Sequence, residues 1–158
     1  METVEKMVEW VQEHVAVSPA PRILDIGTGN GQMLISLVEA GYDTSLMLGV
    51  DYSLDSIRLA RLVAESHGAG GLAFEVADFL SGDAPRLPAM EAGEAEWDLL
   101  LDKGTYDAIA LASAGADGAF PKDTYPLRAA RLLKPGALFL VTCMPARSHR
   151  GLASHTVS

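Results

Sequence analysis

Short apolar runs alternate with segments of helical periodicity along most of this chain. The apolar runs predict five buried strands, at 22–26, 46–51, 72–77, 97–102 and 137–144. Apolar residues recurring every third or fourth position predict helices at 3–14, 31–40, 53–67, 106–111 and 123–133. This alternation is typical of an α/β fold, in which helices cover both faces of a parallel sheet.

Segments without periodicity separate or follow these elements. Residues 80–96 are rich in Gly, Pro, Ala and acids, which predicts a long surface connection, and 134–136 (KPG) predicts a turn before the fifth strand. We expect one domain at 1–144 and a polar, flexible tail at 145–158. An apolar fifth strand at a sheet edge would have unpaired backbone groups, so we expect the tail, another chain or a swapped element to cover it.

Composition narrows the class of partner. The chain has 158 residues, a net charge of -9 and a pI of about 4.7, which argues against nucleic acid as a partner and leaves a basic protein partner open. No apolar run approaches the roughly 20 residues that a membrane-spanning helix needs. Cys143 is the single cysteine, so we expect a reducing compartment, the cytoplasm, with the nucleus as an additional location. The four histidines lack ligand spacing and predict no metal site.

Polar residues stand at the ends of four predicted strands. The glycine loop 27–31 follows the first strand, Asp51 ends the second, Asp78 follows the third and Asp102 ends the fourth. The carboxyl ends of parallel strands meet at one edge of a sheet, where α/β proteins bind their ligands. The sequence therefore predicts a ligand site at this edge.

The glycine loop differs from two common phosphate-binding loops. Gly27, Gly29 and Gly31 are small enough for a ligand to approach the backbone closely. Their G-x-G-x-G spacing departs from the dinucleotide fingerprint, and the chain has no G-x-x-x-x-G-K-[ST] sequence. Asp25, just ahead of the loop, would repel a pyrophosphate and suits a ligand with an ammonium or sulfonium group.

The other strand-end acids suit the remaining parts of such a ligand. Asp51 suits a ribose diol, with a helix cap as the alternative. Asp78 and Phe79 suit an adenine, with a helix cap beside a core aromatic as the alternative. Asp102 suits the reacting centre, with an ion pair or a helix cap as the alternative. A cationic end, a ribose and an adenine without a diphosphate describe S-adenosylmethionine.

Five stretches also resemble a known family. DIGTGNG, GVDYS, VADFL, LDKGTYDAI and LLKPGALFLVT are similar to the class I seven-strand S-adenosylmethionine-dependent methyltransferases, and the similarity runs from about residue 3 to 143. LDKGTYDAI resembles the branch that methylates lysine in proteins. The resemblance implies a Rossmann-like fold with strand order 3-2-1-4-5-7-6. Relative to that pattern we expect a chain truncated at both ends, which contains the first five strands and lacks the final antiparallel strands.

The resemblance implies S-adenosylmethionine as cofactor, S-adenosylhomocysteine as product, and a lysine of a protein substrate, translation elongation factor 1-alpha, as acceptor. The implied cofactor-binding residues are Asp25, Gly27, Thr28, Gly29, Asn30, Gly31, Asp51, Tyr52, Asp78, Phe79 and Asp102. The implied catalytic residues are Asp102, Lys103 and Tyr106. Among these, Asp102 would orient the acceptor amine or accept its proton, and Tyr106 would form an apolar wall.

Three alternatives to this function stay open. The same fold could methylate another acceptor, or the chain could bind the cofactor without catalysing transfer. A nicotinamide-dependent oxidoreductase is disfavoured by the glycine spacing. We expect no nucleic-acid or membrane partner, and we expect self-association if the fifth strand is exposed.

Overall fold

The structure, a computed structural model, describes residues 2–88, 90, 96–142 and 152–156. Within these residues the helices are α1 (Glu2–His14), α2 (Gln32–Glu39), α3 (Leu54–Ser66), α4 (Thr105–Ala110) and α5 (Pro121–Leu132). The strands in the same residues are β1 (Ile23–Ile26), β2 (Met47–Asp51), β3 (Ala73–Val76), β4 (Trp97–Lys103), β5 (Leu133–Thr142) and β6 (Leu152–Thr156). A short 3-10 turn, Thr44–Leu46, leads into β2.

All six strands form one sheet in the order β3-β2-β1-β4-β5-β6. Neighbouring strands from β3 to β5 are parallel, so the carboxyl ends of β1, β2, β3 and β4 lie at the same edge. This arrangement confirms the predicted α/β fold with a parallel sheet. No helix among the described residues has the length and apolar character needed to cross a membrane.

Alternate residues of the central strands fill two separate hydrophobic cores. Ile23, Met47 and Leu99 are paired across the sheet and pack beneath α1, α2 and α3. The next residues along each strand pack on the opposite face, together with α5. Because side chains of a strand alternate between faces, strands that are apolar throughout need a cover on both sides. The predicted helices on both faces are therefore confirmed.

The tail contains a strand, and this corrects the expectation from sequence. Leu152–Thr156 (β6) pairs antiparallel with residues 138–142 of β5, whereas 145–158 had no strand pattern and no final antiparallel strand was expected. The pairing uses backbone groups, which explains why side-chain periodicity did not reveal it. Coverage of the fifth strand by the tail was one of three expected arrangements and is confirmed. Self-association stays a prediction, and residues 143–151 and 157–158 lie outside the described residues.

The turn predicted at 134–136 lies inside β5. Leu133 already pairs with Trp97 of β4, and regular pairing resumes at Leu138 after a shift in register. Pro135 lacks a backbone N–H, and Gly136 has a φ of 80°, so these two residues interrupt the pairing without ending the strand. The predicted connection 80–96 has no helix or strand in its described part; residues 89 and 91–95 are not described.

Candidate functional site

The sheet register brings the predicted site residues of β1, β2 and β4 to one edge. Asp102 of β4 lies directly opposite Ile26, the last residue of β1 before the glycine loop. On the other side, the backbone N–H of Thr28 donates to the carbonyl of Val50 at 2.9 Å. The loop is therefore fixed between the ends of β2 and β4.

Gly27 of the glycine loop packs directly against Thr105 of the LDKGTYDAI segment. Its φ is 67°, and a Cβ built at this position would lie 1.7 Å from Thr105 Oγ1. The same hydroxyl donates a hydrogen bond to the carbonyl oxygen of Ile26 at 3.0 Å. Only glycine fits between the loop and Thr105, so two motifs that are far apart in sequence form one unit.

The other two glycines of the loop have different surroundings. A Cβ on Gly31 would lie 2.8 Å from Cζ of Phe74, so this glycine allows the start of α2 to pack on the aromatic ring. A Cβ on Gly29, whose φ is 57°, would have no heavy atom within 4 Å. Gly29 is therefore the loop glycine with open space in front of it. Asn30 is exposed, and its side-chain oxygen accepts from the N–H of Gln32 at 3.2 Å.

Asp25 is a buried acid below the loop. Its side chain is 2% exposed, and Oδ2 accepts a hydrogen bond from Thr28 Oγ1 at 2.7 Å. Burial raises the pKa of Asp25 to about 7, the Thr28 bond opposes the increase, and the nearby Asp102 adds to it. A cation close to this carboxyl would favour its ionised form. The surroundings of Asp25 thus fit a positively charged ligand group.

The raised pKa makes the contribution of Asp25 to stability depend on pH. The ordinary pKa of an aspartate is 3.8 and that of Asp25 in the folded protein is about 7, so between these values the folded state binds the additional proton. The stabilisation that this proton provides is complete below about pH 4 and is lost as the pH rises to about 7. Over this range the free energy of unfolding falls by at most about 1.4 kcal/mol per pH unit. We expect Asp25→Asn to remove this slope in urea unfolding of the ligand-free protein. Equal slopes in both proteins would contradict the assignment.

Asp51 holds the loop and does not cap the next helix. Its side chain is 8% exposed; Oδ2 accepts from the N–H of Gly29 at 3.0 Å, and Oδ1 accepts from the N–H of Ser53 at 2.9 Å. The cap of α3 is Ser53, whose hydroxyl accepts from the N–H of Ser56 at 3.2 Å. The ribose-binding role of Asp51 stays a prediction. Tyr52, beside it, is largely exposed.

Asp78 and Phe79 match only part of their alternative interpretation, because no helix follows Asp78 in the described residues. Asp78 is exposed and accepts hydrogen bonds from the N–H of Leu80 at 3.0 Å and from Ser81 Oγ at 2.6 Å. The bond from Ser81 is the largest cause of a lowered pKa for Asp78. Phe79 is buried, with its ring centroid 5.0 Å from that of Tyr125. This is a local turn beside a core aromatic, and the contact with adenine stays a prediction.

Asp102 is fully buried and accepts the N–H groups of the first turn of α4, two residues before the N-cap position, Gly104. Oδ1 accepts from the N–H of Thr105 at 2.6 Å; Oδ2 accepts from the N–H of Tyr106 at 2.9 Å and from the hydroxyl of Tyr125. Burial raises the pKa of Asp102, and the Tyr125 hydrogen bond opposes the increase. The role of Asp102 in orienting the acceptor amine or accepting its proton stays a prediction. The helix cap is the interpretation that the geometry supports.

Lys103 and Tyr106 lie closer to the surface. Lys103 is exposed, and its charge acts against the raised pKa of Asp25. Tyr106 is half-buried, with its ring centroid 5.3 Å from that of Tyr125. Both side chains are thus accessible near the end of β4, and their part in methyl transfer stays a prediction.

Sequence reasoning missed Tyr125 and the role of Thr105. Tyr125 shares the buried face of α5 with Ala129 and Leu132, and this spacing indicates a core position without revealing a hydrogen-bond partner. Thr105 stands inside the quoted LDKGTYDAI motif, but its contact with Gly27 depends on the pairing of β1 with β4. In the described part of the chain, no group of three or more His, Cys, Asp or Glu could hold a metal ion.

The parallel sheet and the edge site define a Rossmann-like α/β protein with a small-ligand site after β1. Residues 18–155 match the family model described as methyltransferase domain, and the chain belongs to that family. This confirms the resemblance seen in the sequence motifs.

Two curated relatives indicate a more specific similarity. The chain is 35% identical over 154 residues to protein-lysine N-methyltransferase efm4 of Schizosaccharomyces pombe, covering 89% of this chain and 61% of that protein. It is 34% identical over 142 residues to EEF1A lysine methyltransferase 2 of Homo sapiens, covering 89% of this chain and 54% of that protein. The chain therefore spans roughly half to three-fifths of the length of these relatives.

Solved structures show the same fold. Magnesium protoporphyrin IX methyltransferase from Synechocystis PCC 6803 with bound SAM has a TM-score of 0.68 at 19% identity, covering 95% of this chain and 61% of that one. The PH0226 protein from Pyrococcus horikoshii OT3 has a TM-score of 0.65 at 20% identity, covering 89% of this chain and 56% of that one. At these identities the similarity establishes the fold alone.

Proposed function

We propose that the protein is an S-adenosylmethionine-dependent protein-lysine N-methyltransferase that acts on translation elongation factor 1-alpha. The observation that carries the proposal is the buried Asp25 at the end of β1, followed by a loop whose Gly29 has open space in front of it and bonds to the carboxylate of Asp51. The family supports the reaction class, and the names of the two relatives support lysine as acceptor.

The residues at this edge fit the proposed cofactor. Asp25 would face the positively charged end of the cofactor. The open space at Gly29 would let the cofactor approach the protein backbone closely. Each oxygen of Asp51 accepts one N–H, and a carboxylate oxygen can accept a second hydrogen bond, here from a ribose hydroxyl. When bound, S-adenosylmethionine supplies a methyl group on a sulfonium, an electrophile that an amine can attack.

The chain's own residues would hold the acceptor amine in line and in its neutral form. In-line attack needs the amine within about 3–3.5 Å of the methyl group. An unperturbed lysine has a pKa of about 10.4, so it must release its proton to solvent as it enters the site and before it attacks. Lys103, which is exposed at the end of β4, would repel a protonated lysine and so lower the pKa of the acceptor amine. The ring of Tyr106 would exclude water from this amine. Asp102 acts from below by fixing the first turn of α4.

Methylation of purified elongation factor 1-alpha, produced in bacteria, tests the proposal. We expect mass spectrometry to find one or more added methyl groups on a single lysine, with S-adenosylhomocysteine formed in equal amount. Substitution of that lysine with arginine should abolish transfer. Preferred transfer to a small metabolite would favour another acceptor. Calorimetric binding of S-adenosylmethionine without transfer to any acceptor would favour a silent cofactor-binding chain.

The proposal includes a cytoplasmic location, with the nucleus as an additional one. A cytoplasmic enzyme would meet a translation factor as substrate, and the single cysteine of the chain suits a reducing compartment. Fluorescence microscopy of the tagged protein tests the location, and enrichment in a secretory compartment would contradict it.

A further inference from the structure

Tyr125 connects several residues of the candidate site from within the core. It lies on α5 and is 1% exposed. Its hydroxyl donates a hydrogen bond to Oδ2 of Asp102, and its ring lies 5.3 Å from the ring of Tyr106 and 5.0 Å from that of Phe79. One side chain thus contacts three residues that the sequence places in the cofactor and methyl-transfer site.

The contact with Asp102 extends to the glycine loop. Gly104 stands at the N-cap of α4 and has no side chain to accept hydrogen bonds, so Asp102 accepts the N–H groups of Thr105 at 2.6 Å and Tyr106 at 2.9 Å. Thr105 then donates through Oγ1 to the carbonyl of Ile26 at 3.0 Å. A continuous series of hydrogen bonds therefore links α5, the end of β4, the start of α4 and the end of β1.

We propose that Tyr125 is a positioning residue for methyl transfer, whose hydroxyl holds Asp102 beneath the first turn of α4 and whose ring sets the orientation of Tyr106. The inference rests on the proposed function. A buried carboxylate that accepts from two N–H groups and one hydroxyl is fixed in a single orientation. Without the hydroxyl, Asp102 keeps its two bonds to α4 but loses the bond that holds it to α5, so that the start of α4 with Tyr106 shifts relative to the glycine loop. A small displacement of a residue that positions the reacting groups reduces the rate of transfer more than it reduces binding.

The test compares two buried tyrosines that each lose only a hydroxyl group. Tyr125→Phe removes the bond to Asp102, and the control Tyr42→Phe removes bonds from a hydroxyl that donates to the carbonyl of Val15 at 2.6 Å and of Val11 at 3.3 Å. Tyr42 is also buried, but it lies near the end of α1, away from the glycine loop. We expect both variants to lower the melting temperature by a similar amount, about 2–4 °C.

Kinetics and calorimetry separate positioning from stability. We expect Tyr125→Phe to lower kcat by about 10-fold to 100-fold, while KM for the protein substrate and Kd for S-adenosylmethionine change by less than about threefold. Tyr42→Phe should leave kcat within about twofold of the wild-type value. An unchanged kcat in Tyr125→Phe, or an equal loss in both variants, would overturn the inference.

An NMR measurement tests the positioning without any activity. The amide protons of Thr105 and Tyr106 donate to Asp102, so their resonances report the orientation of its carboxylate. We expect both resonances to move in Tyr125→Phe and to stay in place in Tyr42→Phe, and unmoved resonances in Tyr125→Phe would overturn the inference. If the wild-type protein transfers no methyl group to any lysine, the proposed function fails, and these two resonances alone decide whether Tyr125 positions α4.

Discussion

Replacing Gly27 with alanine is expected to destabilise the protein by about 3 kcal/mol or more, with a fall in melting temperature of about 6–12 °C. Two effects add. The φ of 67° is strained for any residue with a Cβ, and the new methyl group would overlap Thr105 Oγ1, which lies 1.7 Å from the ideal Cβ position. Either the loop or the start of α4 must move, because the carbonyl of Ile26 holds the Thr105 hydroxyl in place. Thermal and urea unfolding measure the loss.

Gly29→Ala is the matched control for this prediction. Its φ of 57° imposes similar backbone strain, but the ideal Cβ has no heavy atom within 4 Å. We expect a loss of about 1–2 kcal/mol, together with weaker cofactor binding, since the methyl group enters the open space. Adding Thr105→Ala to Gly27→Ala should recover part of the stability, giving a coupling of about 1 kcal/mol in a double-mutant cycle. Equal losses for the two glycine variants, or strict additivity with Thr105→Ala, would contradict the steric explanation.

The fold was predictable because its information is local. Strands apolar along their whole length, such as β1 and β2, indicate a sheet that is covered on both faces, and the predicted alternation of strands and helices was confirmed. The tail was different. The strand Leu152–Thr156 depends on backbone pairing with β5, and the side-chain pattern of so short a polar segment does not predict that pairing.

The candidate site was predictable as a location but not as a set of roles. The positions of Asp51 and Asp102 at strand ends follow from the parallel sheet. The groups to which these two carboxylates are hydrogen-bonded do not follow from the sheet. Asp51 bonds to the loop at Gly29, leaving Ser53 to cap α3, and Asp102 is enclosed by a tyrosine 23 residues further along the chain. A role that depends on contacts between distant segments requires the three-dimensional structure.

Replacing Asp51 with alanine is expected to weaken binding of S-adenosylmethionine by at least about 100-fold in calorimetric titration. In the proposed complex this carboxylate accepts two charge-assisted hydrogen bonds from the ribose, each contributing about 1.5–3 kcal/mol, and the variant would lose both. It would also release the N–H of Gly29, so that the loop is no longer held in the shape that admits the ligand. The N–H groups of Gly29 and Ser53 can then bond to water, which limits the loss of folding stability to about 1–2 kcal/mol.

Asp55→Ala provides the charge-matched control for Asp51→Ala. Asp55 stands four residues later, in the first turn of α3, with a side chain that is 92% exposed and pairs only loosely with Arg58 at 3.4 Å. Both variants remove one negative charge, but only Asp51 bonds to the glycine loop, so Asp55→Ala should leave the affinity within about twofold. Equal weakening in the two variants would mean that the net charge of this edge attracts the ligand. Unchanged affinity in Asp51→Ala would exclude this carboxylate from the binding site and move the ribose to another part of the edge.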